Sequence, residues 1–213
     1  MAKKQYLNIL GILLVISIIS FLPIINAGNQ TLSYSVTFGG NHFDTAYSLA
    51  WDFGNPSGKL YVVGSSNSFN PSFNKEGIVA MFDENLTIPP TPTVVKMSGF
   101  GGHGEFLDVA VGSSNIAVVG FIPNNGNDPV VYWLSKTNLG TVAARQLQVF
   151  TGTERDWATA VAYDSQDNTI VVGFTDSGSG SFAGRSSFIV KFTSPGSIWW
   201  QKAFKPFNAE GSF

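Results

Sequence analysis

Two histidines occupy matching places in the chain. His42 and His103 each follow a Gly-Gly pair, Gly39-Gly40 and Gly101-Gly102, and each precedes a carboxylate by two residues, Asp44 and Glu105. A third segment, Glu154-Arg155-Asp156, carries charge at the corresponding place without a histidine. Imidazole nitrogens and carboxylate oxygens are donors for a divalent cation or a polar ligand, so a ring of such groups on one face would be a binding site. The same residues have a plainer reading, in which Asp44 and Asp156 accept hydrogen bonds from the N–H groups of the adjoining turns. Trp199-Trp200 adds flat aromatic surface able to stack on sugar rings. Neighbouring strand residues face opposite sides, so one of the two is expected in the core. The ligand candidates are therefore His42, Asp44, His103, Glu105, Arg155, Asp156 and Trp200.

Other chemistry is poorly supplied. Asn124-Asn125-Gly126-Asn127-Asp128 and Asp164-Ser165-Gln166-Asp167-Asn168 have the polar density of calcium loops, but neither has the closing glutamate of an EF-hand, and ordinary Asx turns account for both. Serine is abundant, yet no G-x-S-x-G elbow presents a nucleophile. Gly178-Ser179-Gly180 lacks the lysine and the strand-to-helix setting of a phosphate loop. There is no cysteine, which removes disulfides and thiolate metal ligands. No catalytic residue, metal or cofactor is expected from these patterns, and the chain reads as non-enzymatic.

The elements that must position these residues recur along the chain. Leu60-Tyr61-Val62-Val63-Gly64, Ile116-Ala117-Val118-Val119-Gly120 and Ile170-Val171-Val172-Gly173 are apolar runs ended by glycine, with the glycines 56 and 53 residues apart. A period of this size signals blades or arrays. Each run follows a segment with small residues on alternate positions, Asp44 to Asp52 in the first copy and Asp156 to Asp164 in the third. The middle copy, around Phe106 to Val111, has Gly104 where the first aspartate should stand. Third strands are expected at Ile78–Phe82, Val130–Leu134 and Phe188–Phe192, and fourth strands at Val94–Met97, Gln146–Phe150 and Ile198–Phe204. Four strands per fifty-odd residues matches a propeller blade.

The first unit runs Asp44-x-Ala46 through Asp52, then Gly54-Asn55, Tyr61-Val62-Val63-Gly64, Ser66 and Phe69, with Phe38-Gly39-Gly40 and Phe100-Gly101-Gly102 at the joints. This pattern resembles the bacterial and archaeal seven-bladed β-propeller repeat, an extracellular repeat family rather than an enzyme family, over about residues 34–213. Kelch repeats match less well. Trp51-Asp52 does not indicate WD40, because the pair follows the first strand of its unit. The expected fold is all-β: a partial β-propeller of three four-stranded blades (units about 39–100, 101–150 and 151–204) with an extra outer strand at Tyr34–Phe38. A hydrophobic N-terminal helix is expected to precede it. Propellers close with four to eight blades, so three units imply a fragment, an open array, or association that covers exposed edges.

Residues 1–27 carry Lys3 and Lys4, no acid, and an apolar run from Tyr6 to Ile25, the pattern of an export segment. Ile25-Asn26-Ala27 before Gly28 fits a cleavage site, and the run is also long enough for an uncleaved anchor with its N-terminus in the cytoplasm. The remainder, 28–213, is then secreted or displayed at the cell surface, touching membrane only through the N-terminal segment. Asn29-Gln30-Thr31 and Asn85-Leu86-Thr87 fit the glycosylation pattern, giving Asn29 and Asn85 as candidates. With Lys3 and Lys4 set aside, ten basic residues face fourteen acidic ones, which disfavours nucleic acid and anionic lipid. The expected partner is a protein or a second copy, with a glycan as the alternative.

Overall fold

The computed structural model describes residues 39–54, 58–69, 74–83, 95–96, 104–123, 126–147, 154–176 and 185–204. The expected export segment 1–27, the expected outer strand Tyr34–Phe38, His103, Asn29 and Asn85 lie outside them. Twelve strands are described: β1 Asp44–Asp52, β2 Lys59–Ser66, β3 Glu76–Asp83, β4 Val95–Lys96, β5 Glu105–Val111, β6 Asn115–Ile122, β7 Asp128–Ser135, β8 Thr141–Gln146, β9 Asp156–Tyr163, β10 Thr169–Thr175, β11 Ser186–Ser194 and β12 Ser197–Phe204. They form three separate four-stranded sheets, β1–β4, β5–β8 and β9–β12, each an antiparallel meander in sequence order. The described residues are all-β, and no helix occurs among them.

The three repeat glycines have one physical cause. Each first strand carries a β-bulge at the same place: the register skips between Ala46 and Ser48, between Phe106 and Asp108, and between Ala158 and Ala160. Opposite each bulge sits the glycine of the second strand, Gly64, Gly120 or Gly173. A Cβ there would lie 1.8 Å from the Thr45 carbonyl oxygen, 1.8 Å from that of Glu105, and 2.0 Å from that of Trp157. Only a residue without a side chain lets the bulged backbone come this close. The spacing visible in the sequence is thus the spacing of a bulge repeated in three sheets.

Packing between sheets explains why the second copy is the most apolar. Val109, Ile116, Val118, Tyr132 and Leu134 form one cluster with Tyr61, Val63 and Val79 of the first sheet. Ala117, Val119, Val131 and Trp133 form another with Ala158, Val161, Val171, Phe188, Val190 and Phe192 of the third. Alternate residues of β6 therefore enter opposite cores, so Ile116–Ile122 reads as a continuous apolar run. The first strands touch in series, β1 on β5 and β5 on β9, whereas β1 and β9 share no extensive contact among the described residues. Trp133 is fully buried; its Nε1–H donates to Thr169 Oγ1 at 2.9 Å and its ring meets Phe192 edge-on at 4.9 Å.

Two expectations are corrected. The fourth strand of the second sheet is β8, Thr141–Gln146, rather than Gln146–Phe150. The chain reverses early because Leu139 adopts φ 57° and its N–H donates to the Ser135 carbonyl, while Ser135 N–H donates to that of Gly140. A buried leucine takes the left-handed turn position where glycine is usual, and no sequence pattern announces it. The second correction concerns Trp199 and Trp200. Both are exposed, at 57% and 36%, and neither is in the core. Lys191 pairs with Trp200 and Phe192 with Ile198, which leaves Trp199 as the extra residue of a bulge and breaks the alternation on which the expectation rested.

Burial sets an alkaline limit on this packing. Burial pushes the phenols of Tyr61, Tyr132 and Tyr163 up from 10.0 to about 12, and nearby Asp52 adds to the effect at Tyr61. A raised folded-state value contributes stability that is complete below the unfolded pKa and lost as pH rises through the folded one. The sheets are accordingly expected to hold to pH 10 and to unfold as pH approaches 12. Tyrosinate absorbance and far-UV circular dichroism should change together; ionisation of all phenols near pH 10 with the sheet signal intact would contradict this.

Candidate functional site

The candidate carboxylates lie at the beginnings of the first strands, where the series β1–β5–β9 brings Asp44, Glu105 and Asp156 to one end of the sheets. Asp44 is turned back on its own joint. Its Oδ2 accepts from Gly40 N–H and Ser68 Oγ, both at 2.8 Å, and its Oδ1 accepts from Ser66 Oγ. Burial works against the charge, but the hydrogen bonds from Ser66, Gly40 and Ser68 together outweigh it and hold the carboxyl below its ordinary value. His42 is exposed, and its backbone N–H donates to Ser68 Oγ at 3.1 Å. Asp156 is fully buried and accepts from Asp176 N–H at 3.1 Å. Asp44 thus braces the turn before β1, whereas Asp156 holds the residue that follows β10.

Glu105 joins two sheets. Its Oε2 accepts from Tyr47 Oη and, at 3.5 Å, from Ser65 Oγ, all of this from the first sheet, and Oε1 pairs with Lys75 Nζ at 3.1 Å. Arg155 belongs to a neighbouring cluster. Its Nε lies 3.6 Å from Asp176, which Arg185 grips through two nitrogens at 2.8 and 3.1 Å while lying over the Phe174 ring. The Arg185 guanidinium is the main reason the Asp176 carboxyl sits below its usual range. Asn127 and Arg155 form a parallel bridge that ties the second sheet to the third. Trp200 is not part of this end. It lies on β12, three strands from β9 and so roughly 14 Å away at ordinary strand spacing.

Asp108, which no sequence pattern singled out, is a polar group that links all three sheets. Its Oδ1 accepts from Ser48 Oγ at 2.6 Å and its Oδ2 from Val161 N–H at 2.9 Å. The repeat did contain the signal: Ser48, Asp108 and Ala160 follow the bulge in their strands, and only the middle one is charged. A carboxylate among small residues on the innermost strand needs partners from both sides. Asp108→Ala is expected to destabilise the fold by about 2–3 kcal/mol, because it strands two donors, and Asp108→Asn by less. Urea midpoints read the difference, and equal losses for the two variants would argue against a bridging role.

At the opposite end the links are again between sheets. Lys136 Nζ pairs with Asp52 at 2.8 Å, and Asp167 accepts from Ser113 N–H at 2.8 Å and from Ser113 Oγ at 2.5 Å. Asp164, in one of the calcium-like stretches, is held far below the carboxylate range by Lys191 first and by Asn168, and it accepts from Gln166 and Asn168 N–H at 2.9 Å each. Among the described residues, no group of three histidine or acidic side chains is placed to hold a metal. The arrangement can bind strands, turns and sheets to one another. No family model matches the chain, and no curated protein matches it.

Proposed function

We propose that residues 28–213 are an exported, non-catalytic repeat module of β-propeller type, similar to the seven-bladed repeat, whose role is to bind a protein partner or assemble with its own kind. One observation carries the reading: large apolar side chains stand exposed at both ends of the series of sheets, Leu49 at 64% in the first and Phe204 at 52% and Val172 at 37% in the third. Exposed apolar surface of this kind marks interaction sites. The polar groups at the strand starts support it as well, since Asp44, Glu105, Arg155 and Asp156 are already engaged within the fold. The native mass of the full chain in non-ionic detergent tests the reading. Concentration-dependent multimers or a co-purifying protein are expected, and a strict monomer with no partner would overturn it. Loss of residues 1–27, or their retention with membrane association, is expected of the protein in its host.

A second reading, glycan binding, is favoured by Trp199 and Trp200 standing exposed side by side, with Lys191 Nζ 4.8 Å from the Trp199 ring. Glycan-array binding abolished by Trp200→Ala would support it, and an empty array would exclude the glycans printed on it.

A further inference from the structure

We propose that the far face of the third sheet is a docking site for the first sheet of a second copy of this chain, the two copies joining head to tail. The inference rests on the assembly reading above and specifies its geometry. Within the chain, the same junction is made twice, first sheet to second and second to third. Taking the bulge-facing glycines as origin, Ala117, Val119, Val131 and Trp133 of the second sheet correspond through the strand pairings to Ile170, Val172, Ile189 and Lys191 of the third. The first four are fully buried beneath the third sheet. Their counterparts lie on the face away from the second sheet, Val172 exposed and Ile170, Ile189 and Lys191 half-buried, the last paired with Asp164, in company with exposed Trp200 and Phe204.

The opposite face of the first sheet is the complementary half. Val109 and Val161 each face the preceding sheet and are only 5% and 9% exposed. The residue at their position in the first sheet is Leu49, which has no preceding sheet among the described residues and is 64% exposed. Ile78, Ala80 and Phe82 on the same face are already buried, so the seat lies at β1 and β2. The outer strands agree. Arg145 on β8 reaches across to the Gly196 carbonyl of the third sheet at 2.6 Å, and its counterpart on β12 is Lys202, another long cation. Among the described residues, a third sheet without a follower and a first sheet without a predecessor, both carried by one chain, form the two halves of a heterologous contact between copies.

Because the chain has no cysteine, single introduced thiols report the contact directly. Asp108 touches the backbone of Val161, so the equivalent positions across the proposed junction are Ala160 of one copy and Leu49 of the other. Full-length Leu49→Cys and Ala160→Cys proteins, each checked for native circular dichroism, are mixed in non-ionic detergent under mild oxidant. Disulfide dimers are expected in the mixture and absent from either protein alone. Leu49→Cys with Val172→Cys serves as a second pair should Ala160→Cys fold poorly. Dimers from Ala160→Cys or Val172→Cys alone would indicate a tail-to-tail contact and overturn the proposal. Multimers by native mass without a disulfide in either mixture would overturn it while leaving the assembly reading intact, and a monomer throughout would overturn both.

Discussion

Gly120→Ala is expected to be the most damaging single-methyl change in the described residues, lowering stability by about 3 kcal/mol or more. The added carbon would sit 1.8 Å from the Glu105 carbonyl oxygen and 3.0 Å from Phe106 Cα, both backbone atoms that cannot swing aside. Relief would require β5 to withdraw from β6, and β5 contacts both neighbouring sheets. Gly196→Ala provides the comparison. Gly196 has φ 83°, and the nearest atom to its added carbon is Ala143 Cβ at 3.9 Å, so the cost there is conformational, about 1 kcal/mol. Urea unfolding of the two variants separates steric collision from backbone strain. Comparable losses would mean that the bulge does not need its glycine.

Trp133→Ala is expected to cost about 3–5 kcal/mol, the range for emptying a large aromatic site in a core. The indole is fully buried between the second and third sheets, and the change also leaves Thr169 Oγ1 without its donor. Trp133→Phe keeps most of the volume and loses the hydrogen bond, and its smaller deficit apportions the two contributions. Trp200→Ala, on an exposed site, should leave the urea midpoint nearly unchanged. If Trp133→Ala were equally silent, the second and third sheets would not share a core.

The legibility of this fold in its sequence was uneven for physical reasons. Second and third strands were readable because their residues are apolar, β-branched or aromatic and end at turn-forming residues, and Ile116–Gly120 and Phe188–Phe192 fall within β6 and β11. The glycine period was readable because a steric demand repeated three times leaves the same residue each time. Edge strands carry less information. One side of β8 has no hydrogen-bonded neighbour among the described strands, its sequence Thr-Val-Ala-Ala-Arg-Gln alternates weakly, and the turn that sets its start depends on Leu139. At the candidate site, grouping Asp44, Glu105 and Asp156 at strand starts followed from the repeat. The role of Asp108 did not, because its partners Ser48 and Val161 lie in other sheets, 60 and 53 residues away. Distances of that kind exist only after the sheets have stacked.

The middle sheet is the only one of the three with a described sheet packed on each face, and this makes the described sheets a short one-dimensional array with one interior member. In such an array stability is the sum of each unit's own contribution and of the junctions to its neighbours. Within a single unassembled copy the second sheet takes part in two described junctions and each outer sheet in one, so local opening should begin in the outer sheets. Amide hydrogen exchange is expected to be slowest in β6 and β7 and faster in the equivalent strands β2, β3, β10 and β11. Adding one more unit at either end would turn a fraying sheet into an interior one.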